Sequence, residues 1–157
     1  MQIFGASFRR IRKLGMSLRK ILVVDDFLPW HRFVLAMFES VGDSNVVHFA
    51  ADGLEAIEKA TELQPDVILM DIGLPLIDGI EAARRIRVLS PHSKILFLSE
   101  HRSHDYIQAA FDAGGSGYIL KSDSNSDLIP AVQAAMGGEQ FISRSIRDWL
   151  TSSDSAD

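Results

Sequence analysis

Four short apolar runs in this chain end in groups that carry charge or donate a hydrogen bond. Ile21-Leu22-Val23-Val24 precedes Asp25-Asp26, Val67-Ile68-Leu69-Met70 precedes Asp71, Ile95-Leu96-Phe97-Leu98 precedes Ser99, and Tyr118-Ile119-Leu120 precedes Lys121. Unbroken apolar runs of this length read as strands buried on both faces, the condition of a parallel sheet covered by helices. In open sheets of that kind, ligands bind just beyond the carboxyl ends of the strands. Four polar groups at four such ends are therefore expected to converge on one site.

From Arg19 onward, strand and helix patterns alternate five times. Strands are expected at 20–24, 46–50, 66–70, 94–98 and 117–120. Pro29 opens a helix whose apolar side holds Trp30, Phe33, Val34, Met37, Phe38 and Val41. Further helices are expected at 54–63, 80–89, 103–113 and 127–136. Pro65 and Pro91 stop the second and third. Ser103 caps the fourth and Gly114-Gly115 ends it. Repeated strand-helix units predict an α/β domain, a doubly wound parallel sheet with helices on both faces.

This unit is expected to occupy residues 19–138. A basic extension over residues 1–18 precedes it, with Phe4, Phe8, Ile11 and Leu18 at helical spacing. The amphipathic alternative is a helix lying on an anionic membrane or a partner. A frayed tail, or a true start at Met16, is the simpler reading, because short isolated helices are marginal in water. Residues 139–157 are expected to form one short helix at 142–150 and a polar tail.

Charge is distributed unevenly. The first 20 residues carry six cations and no acid, so with a net charge of -5 the remainder sums to -11. An acidic body of that kind is a poor general binder of nucleic acid, and none is expected as a partner. The chain has no cysteine, which excludes disulfides, thiolate metal sites and cysteine nucleophiles. It has no apolar stretch of bilayer length and no secretory h-region, so a cytoplasmic setting is expected.

If Asp25, Asp26, Asp71 and Lys121 meet, their charges sum to -2, and like charges that close need compensation. An all-oxygen ligand set favours Mg²⁺, which keeps waters and commonly bridges to phosphate. A carboxylate can then attack phosphorus to give an acyl phosphate, with the protein's work confined to positioning and charge neutralisation. Asp71, on the central strand, is the natural nucleophile. Lys121 can pair with one phosphoryl oxygen and Ser99 can donate a hydrogen bond to another.

The segments ILVVDDF (21–27), VILMDIGLPLIDG (67–79), FLS (97–99) and GYILKS (117–122) together resemble the receiver domain of bacterial response regulators. The match runs from about Leu18 to Gly138 in consistent order and spacing. The resemblance implies a flavodoxin-like (βα)5 fold with strand order 2-1-3-4-5. It implies that Asp71 is phosphorylated by a sensor histidine kinase or a phosphotransfer protein. Asp26, Asp71 and the backbone carbonyl of Gly73 would hold Mg²⁺, and Asp25 would act through a metal-bound water. Ser99 and Tyr118 match the family's switch pair, in which the hydroxyl moves to the phosphate and the ring turns inward. The face made by the fourth helix, fifth strand and fifth helix would then bind a downstream protein or a second copy. Gly79 matches the glycine that lets the loop after Asp71 turn.

The stretch AVQAAMGGEQFI (131–142) resembles the LuxR/NarL-type branch, in which a helix-turn-helix domain usually follows; none follows in this sequence. The expectation is a stand-alone receiver, a signalling phosphoacceptor in a two-component system rather than an enzyme, apart from slow autodephosphorylation. The alternatives are the receiver portion of a DNA-binding regulator and a phosphorylation-independent interaction module. Glu100 favours the last, because its charge after Ser99 would repel an incoming phosphodonor where the family usually has a small residue. Ser122 replaces a proline common in other branches, and Gly73 offers no side chain where the family tunes phosphoryl lifetime. A haloacid-dehalogenase-type phosphatase would need a second Asp two residues after the nucleophile, but Gly73 stands there.

Other features have plainer readings. His31, His48 and His92 are scattered, and His101 and His104 lack a third ligand nearby, so all five histidines are expected at the surface. Gly114-Gly115-Ser116-Gly117 precedes a strand rather than a helix, so it reads as a cap and turn rather than a phosphate loop.

Overall fold

A computed structural model of the chain describes residues 19–42 and 45–154. The basic extension at 1–18 and the last three residues of the polar tail lie outside the described residues. The elements run β1 (Arg19–Val24), α1 (Leu28–Ser40), β2 (Asn45–Ala50), α2 (Gly53–Leu63), β3 (Val67–Asp71), α3 (Gly79–Leu89), β4 (Lys94–Ser99), α4 (His104–Asp112) and β5 (Gly117–Leu120). A 3-10 turn (Lys121–Asp123), α5 (Ser124–Met136), β6 (Phe141–Ile142) and α6 (Arg144–Asp154) complete the chain.

The sheet is parallel throughout, with order β2-β1-β3-β4-β5-β6. The expected order of five strands is thus present and extended by a sixth. The central strands read as they do because both faces are covered. Ile21 to Val24 and Val67 to Met70 are at most 1% exposed. Alternate strand residues feed two cores. Leu22, Val24, Ile68, Met70, Ile95, Phe97 and Tyr118 pack with Ala60 of α2, Ile86 of α3, Ala110 of α4 and Ile146 of α6. Ile21, Val23, Leu69, Leu96, Leu98 and Ile119 pack with Val34 and Phe38 of α1 and Leu128 and Val132 of α5. Each large aliphatic side chain so buried contributes about 1.5–3 kcal/mol relative to exposure.

Local chemistry sets the helix starts. Asp52 accepts from Glu55 N at 2.8 Å while Glu55 Oε2 accepts from Ala51 N at 3.0 Å, a reciprocal cap at α2. Asp78 caps α3 through Glu81 N at 2.8 Å, and Ser103 caps α4 through Tyr106 N at 3.3 Å. Pro29 sits in the first turn of α1, where no helical N–H is lost.

Two departures from expectation bear on the site. The helix expected at 127–136 starts at Ser124, directly from the 3-10 turn. Asp123, which stands just before it, makes no side-chain cap; its carboxylate accepts from Ser145 Oγ instead. The helix expected at 142–150 runs from Arg144 to Asp154 and is preceded by β6, which pairs with the first half of β5. The edge of β5 is therefore closed by the chain itself.

Candidate functional site

Parallel register brings the ends of four strands to one rim. Val24 of β1 lies opposite Met70 of β3, Asp71 opposite Leu98 of β4, and Ser99 opposite Leu120 of β5. The residues at the ends of β3 and β4, Asp71 and Ser99, and those just after β1 and β5, Asp25 and Lys121, therefore meet in one place. Asp25, Asp26, Asp71, Gly73, Ser99, Glu100 and Lys121 line a single cleft of about 390 Å³ together with Phe27, Asp78, His101 and Tyr106.

The carboxylates of Asp25, Asp26 and Asp71 each offer an oxygen within 4.8 Å of the others. Asp25 is 1% exposed and both its oxygens are used. Oδ1 accepts from Phe27 N at 2.8 Å, and Oδ2 from Lys121 Nζ at 2.6 Å. Asp26 is exposed. Asp71 Oδ1 accepts from Gly73 N at 3.1 Å, and its Oδ2 lies 3.6 Å from Lys121 Nζ. The ammonium thus stands between the two buried acids, nearer the one that ends β1.

Electrostatics follow from that placement. Burial pushes the Asp71 carboxyl above its ordinary range; Lys121 opposes this, and Asp25 and Asp26 add to it. Burial works against the Lys121 charge, but the hydrogen bond to Asp25 and the charges of Asp71, Asp25 and Glu100 outweigh it, so the ammonium is held above its usual value. Trp30 places its ring centroid 5.2 Å from Lys121 Nζ, a cation–π contact that fixes the amine from the α1 side.

The loop after β3 is tightened by Gly79, whose N donates to Ile72 O at 3.0 Å. A Cβ on Gly79 would lie 2.0 Å from Asp71 O, so only glycine permits this approach. Leu76 in the same loop is 78% exposed with φ of 69°, a left-handed conformation unusual for leucine.

The Ser99 hydroxyl does not point to Asp71 in this structure. It donates to His101 O at 3.2 Å and accepts from His101 N at 3.1 Å. Tyr118 is fully buried, and its hydroxyl also donates to His101 O at 3.2 Å. Burial raises the Tyr118 phenol above its usual value, while Ser99 lowers it.

The residues singled out in the sequence thus gather as expected. Others escaped notice. His101 contributes main-chain atoms only, so its side chain carried no signal. Trp30 was assigned to the core face of α1, yet it also covers the lysine. His31, expected at the surface, is half-buried: its Nε2 lies 2.6 Å from Asp25 O and its ring stacks on Phe49 at 4.8 Å. Among the described residues, the three acids are the one group of potential ligands close enough to share a metal ion. Their hard oxygens suit magnesium.

Comparison with known proteins finds a matching family and similar chains. The response regulator receiver domain family matches residues 21–133. The response regulator protein VraR of Staphylococcus aureus is 38% identical over 120 residues, which is 76% of this chain and 57% of VraR. The chain therefore spans just over half the length of the curated relatives it matches. A LuxR-family two-component response regulator from Aurantimonas superposes with a TM-score of 0.78 at 32% identity, covering 88% of this chain and 99% of that one. The Vibrio cholerae chemotaxis protein CheY4 superposes with a TM-score of 0.70 at 28% identity, over 76% of this chain and 99% of its own.

Proposed function

The chain belongs to the response regulator receiver family of two-component systems, and from that premise we propose that Asp71 is its phosphoacceptor. Receiver domains are signalling phosphoacceptors, and the cluster at the carboxyl rim fits that chemistry. A sensor histidine kinase or a phosphotransfer protein presents a phosphohistidine. A carboxylate oxygen of Asp71 attacks phosphorus. The P–N bond breaks, its electron pair stays on the imidazole nitrogen, and the ring takes a proton from solvent. The product is an acyl phosphate on Asp71.

The observation that carries this reading is the position of Lys121, with Nζ 2.6 Å from Asp25 and 3.6 Å from Asp71. An ammonium held by a neighbouring acid can turn to a phosphoryl oxygen without leaving the site. Ser99, at the end of β4 and in the lining of the same cleft, can donate to a second oxygen after rotating from His101. Magnesium, which receiver domains use at their acidic pocket, would supply charge neutralisation between carboxylates and phosphoryl oxygens. Asp26, Asp71 and the carbonyl of Gly73 would hold it, with Asp25 acting through a bound water.

The receiver unit then covers residues 19–138, and β6 and α6 extend it. The side of α4, β5 and α5 is the expected surface for a downstream protein or a second copy, and β6 and α6 form part of it, packed on β5 and α4. Among the described residues no helix is long and apolar enough to cross a membrane, and a cytoplasmic setting is part of the proposal. Intact-mass analysis after incubation with acetyl phosphate and Mg²⁺ tests the assignment. The parent gains one phosphoryl group that is labile in acid and in base, as an acyl phosphate is, and Asp71→Asn gains none; equal labelling of the two rejects it.

Glu100 supports a second reading. It lines the cleft, and its negative charge adds to those that hold Lys121 protonated. A module that binds partners without phosphorylation would keep this fold while excluding an anionic donor. Labelling by acetyl phosphate that is absent in the parent and appears in Glu100→Ala would favour it.

A further inference from the structure

The last strand and helix are built onto the part of the site that responds to a phosphoryl group. Ile142 of β6 lies opposite Tyr118. Ser143, fully buried, donates its N–H to Tyr118 O at 3.1 Å and accepts from Leu120 N at 3.1 Å through its hydroxyl. Ile146 is fully buried in the same apolar cluster as Tyr118, and Ile142, Trp149 and Leu150 pack against that cluster. Trp149 also sets its ring 4.5 Å from that of His104, the first residue of α4. Both flanks of the Tyr118 side chain, the strand that carries it and the helix beside it, are thereby tied to α6.

The hydrogen bonds of His101 show what this fixes. Its carbonyl accepts from Ser99 Oγ and from the Tyr118 hydroxyl, each at 3.2 Å. When the serine hydroxyl turns to a phosphoryl oxygen, the carbonyl still keeps the tyrosine as donor. With the ring swung outward, the same rotation would strip a part-buried carbonyl of both side-chain donors, which costs free energy.

We propose that β6 and α6 form an intramolecular clamp that sets Tyr118 in its buried position before any phosphorylation, leaving the Ser99 hydroxyl as the moving half of the switch. This rests on the reading of Asp71 as phosphoacceptor. A conformation already held in the competent state binds its ligand without the loss incurred by selecting it from a minor population. The clamp therefore strengthens phosphoryl binding at Asp71. It also fills the edge of β5, so a partner on that side meets α6 rather than a free strand.

The chain has two tyrosines, Tyr106 and Tyr118, so 3-fluorotyrosine labelling of the full chain gives two resonances, assigned with Tyr106→Phe. Accessibility is read from broadening by a soluble gadolinium chelate. The Tyr118 resonance is expected to be protected both without and with Mg²⁺ and beryllofluoride, a phosphoryl mimic. In Trp149→Ala it becomes accessible without beryllofluoride and is protected with it. That variant binds beryllofluoride about three- to ten-fold more weakly, the value of one hydrogen bond in this range, while Mg²⁺ alone binds as in the parent. Tyr118→Phe keeps the ring and loses the hydroxyl, and weakens beryllofluoride by a similar factor. A parent Tyr118 that is accessible at first and buried only by beryllofluoride overturns the proposal, as does parental affinity in both variants. If beryllofluoride does not bind the parent at all, the phosphoacceptor reading fails and takes this coupling with it; the beryllofluoride-free accessibility still reports separately on whether the clamp exists.

Discussion

Replacing Lys121 with methionine keeps the length of the side chain and removes its charge. The structure sets the size of the effect. Asp25 is 1% exposed, and its Oδ2 has Lys121 Nζ at 2.6 Å; Asp71 Oδ2 is 3.6 Å from the same atom. With an effective dielectric constant of about 20, these separations correspond to attractions of roughly 6 and 5 kcal/mol. Desolvation of the three groups offsets much of that. Truncating one member of a buried ion pair leaves a net loss of about 3–5 kcal/mol, because the remaining charge stays buried without a partner. The lower end, about 3 kcal/mol, applies here, since the Lys121 side chain is 15% and that of Asp71 12% exposed, which lets water share the load. Urea unfolding at pH 7 in EDTA measures the loss, with Asp25→Asn and the double variant completing a thermodynamic cycle. The double variant recovers most of the deficit, because the orphaned carboxylate is gone. The pH dependence has a definite sign. Lys121 is the main group holding the Asp71 carboxyl down against burial, so its removal moves that carboxyl further up. A group that holds its proton more tightly in the folded state destabilises as it ionises. The deficit of Lys121→Met is therefore smallest at low pH, where the carboxyl is protonated in both folded proteins, grows as pH rises from the parent's folded value toward the variant's higher one, and is constant above that. A loss under 1 kcal/mol, or additive single variants, would refute the account of the lysine as the charge that holds both acids.

Further outcomes follow from the same geometry. Mg²⁺ at 100 times its dissociation constant stabilises the folded chain by about 2.7 kcal/mol, which raises the thermal midpoint by roughly 5–11 °C for a chain of this size; Asp26→Asn removes most of that shift, and an Mg²⁺ response that survives it contradicts the ligand assignment. Gly79→Ala forces a Cβ to within 2.0 Å of the Asp71 carbonyl oxygen, so the loop must move; a loss of about 1–3 kcal/mol is expected in urea, together with weaker Mg²⁺ binding, and a parental urea midpoint would show that the loop gives way freely.

What the sequence disclosed, and what it hid, has a physical cause in each case. β1, β3, β4 and β5 were legible because burial on both faces demands unbroken apolar runs, and the site residues were legible because a parallel sheet puts function at strand ends. Asp25, Asp71 and Lys121 met because the register of three strand pairs is consistent, which the spacing of the apolar runs already implied. β6 was hidden because two residues, Phe141 and Ile142, carry no periodicity. Its partner Ser143 looks like any loop serine until its hydroxyl is found on Leu120 N. His101 was hidden because it acts through its backbone. The helix at 144–154 was recognised in part, but nothing in its pattern said that Ile146 would reach the core beside Tyr118. Asp123 has the residue type and place of a helix cap, but its carboxylate is drawn away by Ser145, a contact made across 22 positions of chain.

Reduction of the phosphorylated chain with borohydride is the most direct test of the central claim, since it converts an aspartyl phosphate to homoserine and marks the residue permanently. Peptide mass analysis after treatment with acetyl phosphate and Mg²⁺ is predicted to find homoserine at position 71 alone. Homoserine at 25 or 26 instead, or none at any position in a chain that has taken up phosphate, would contradict it.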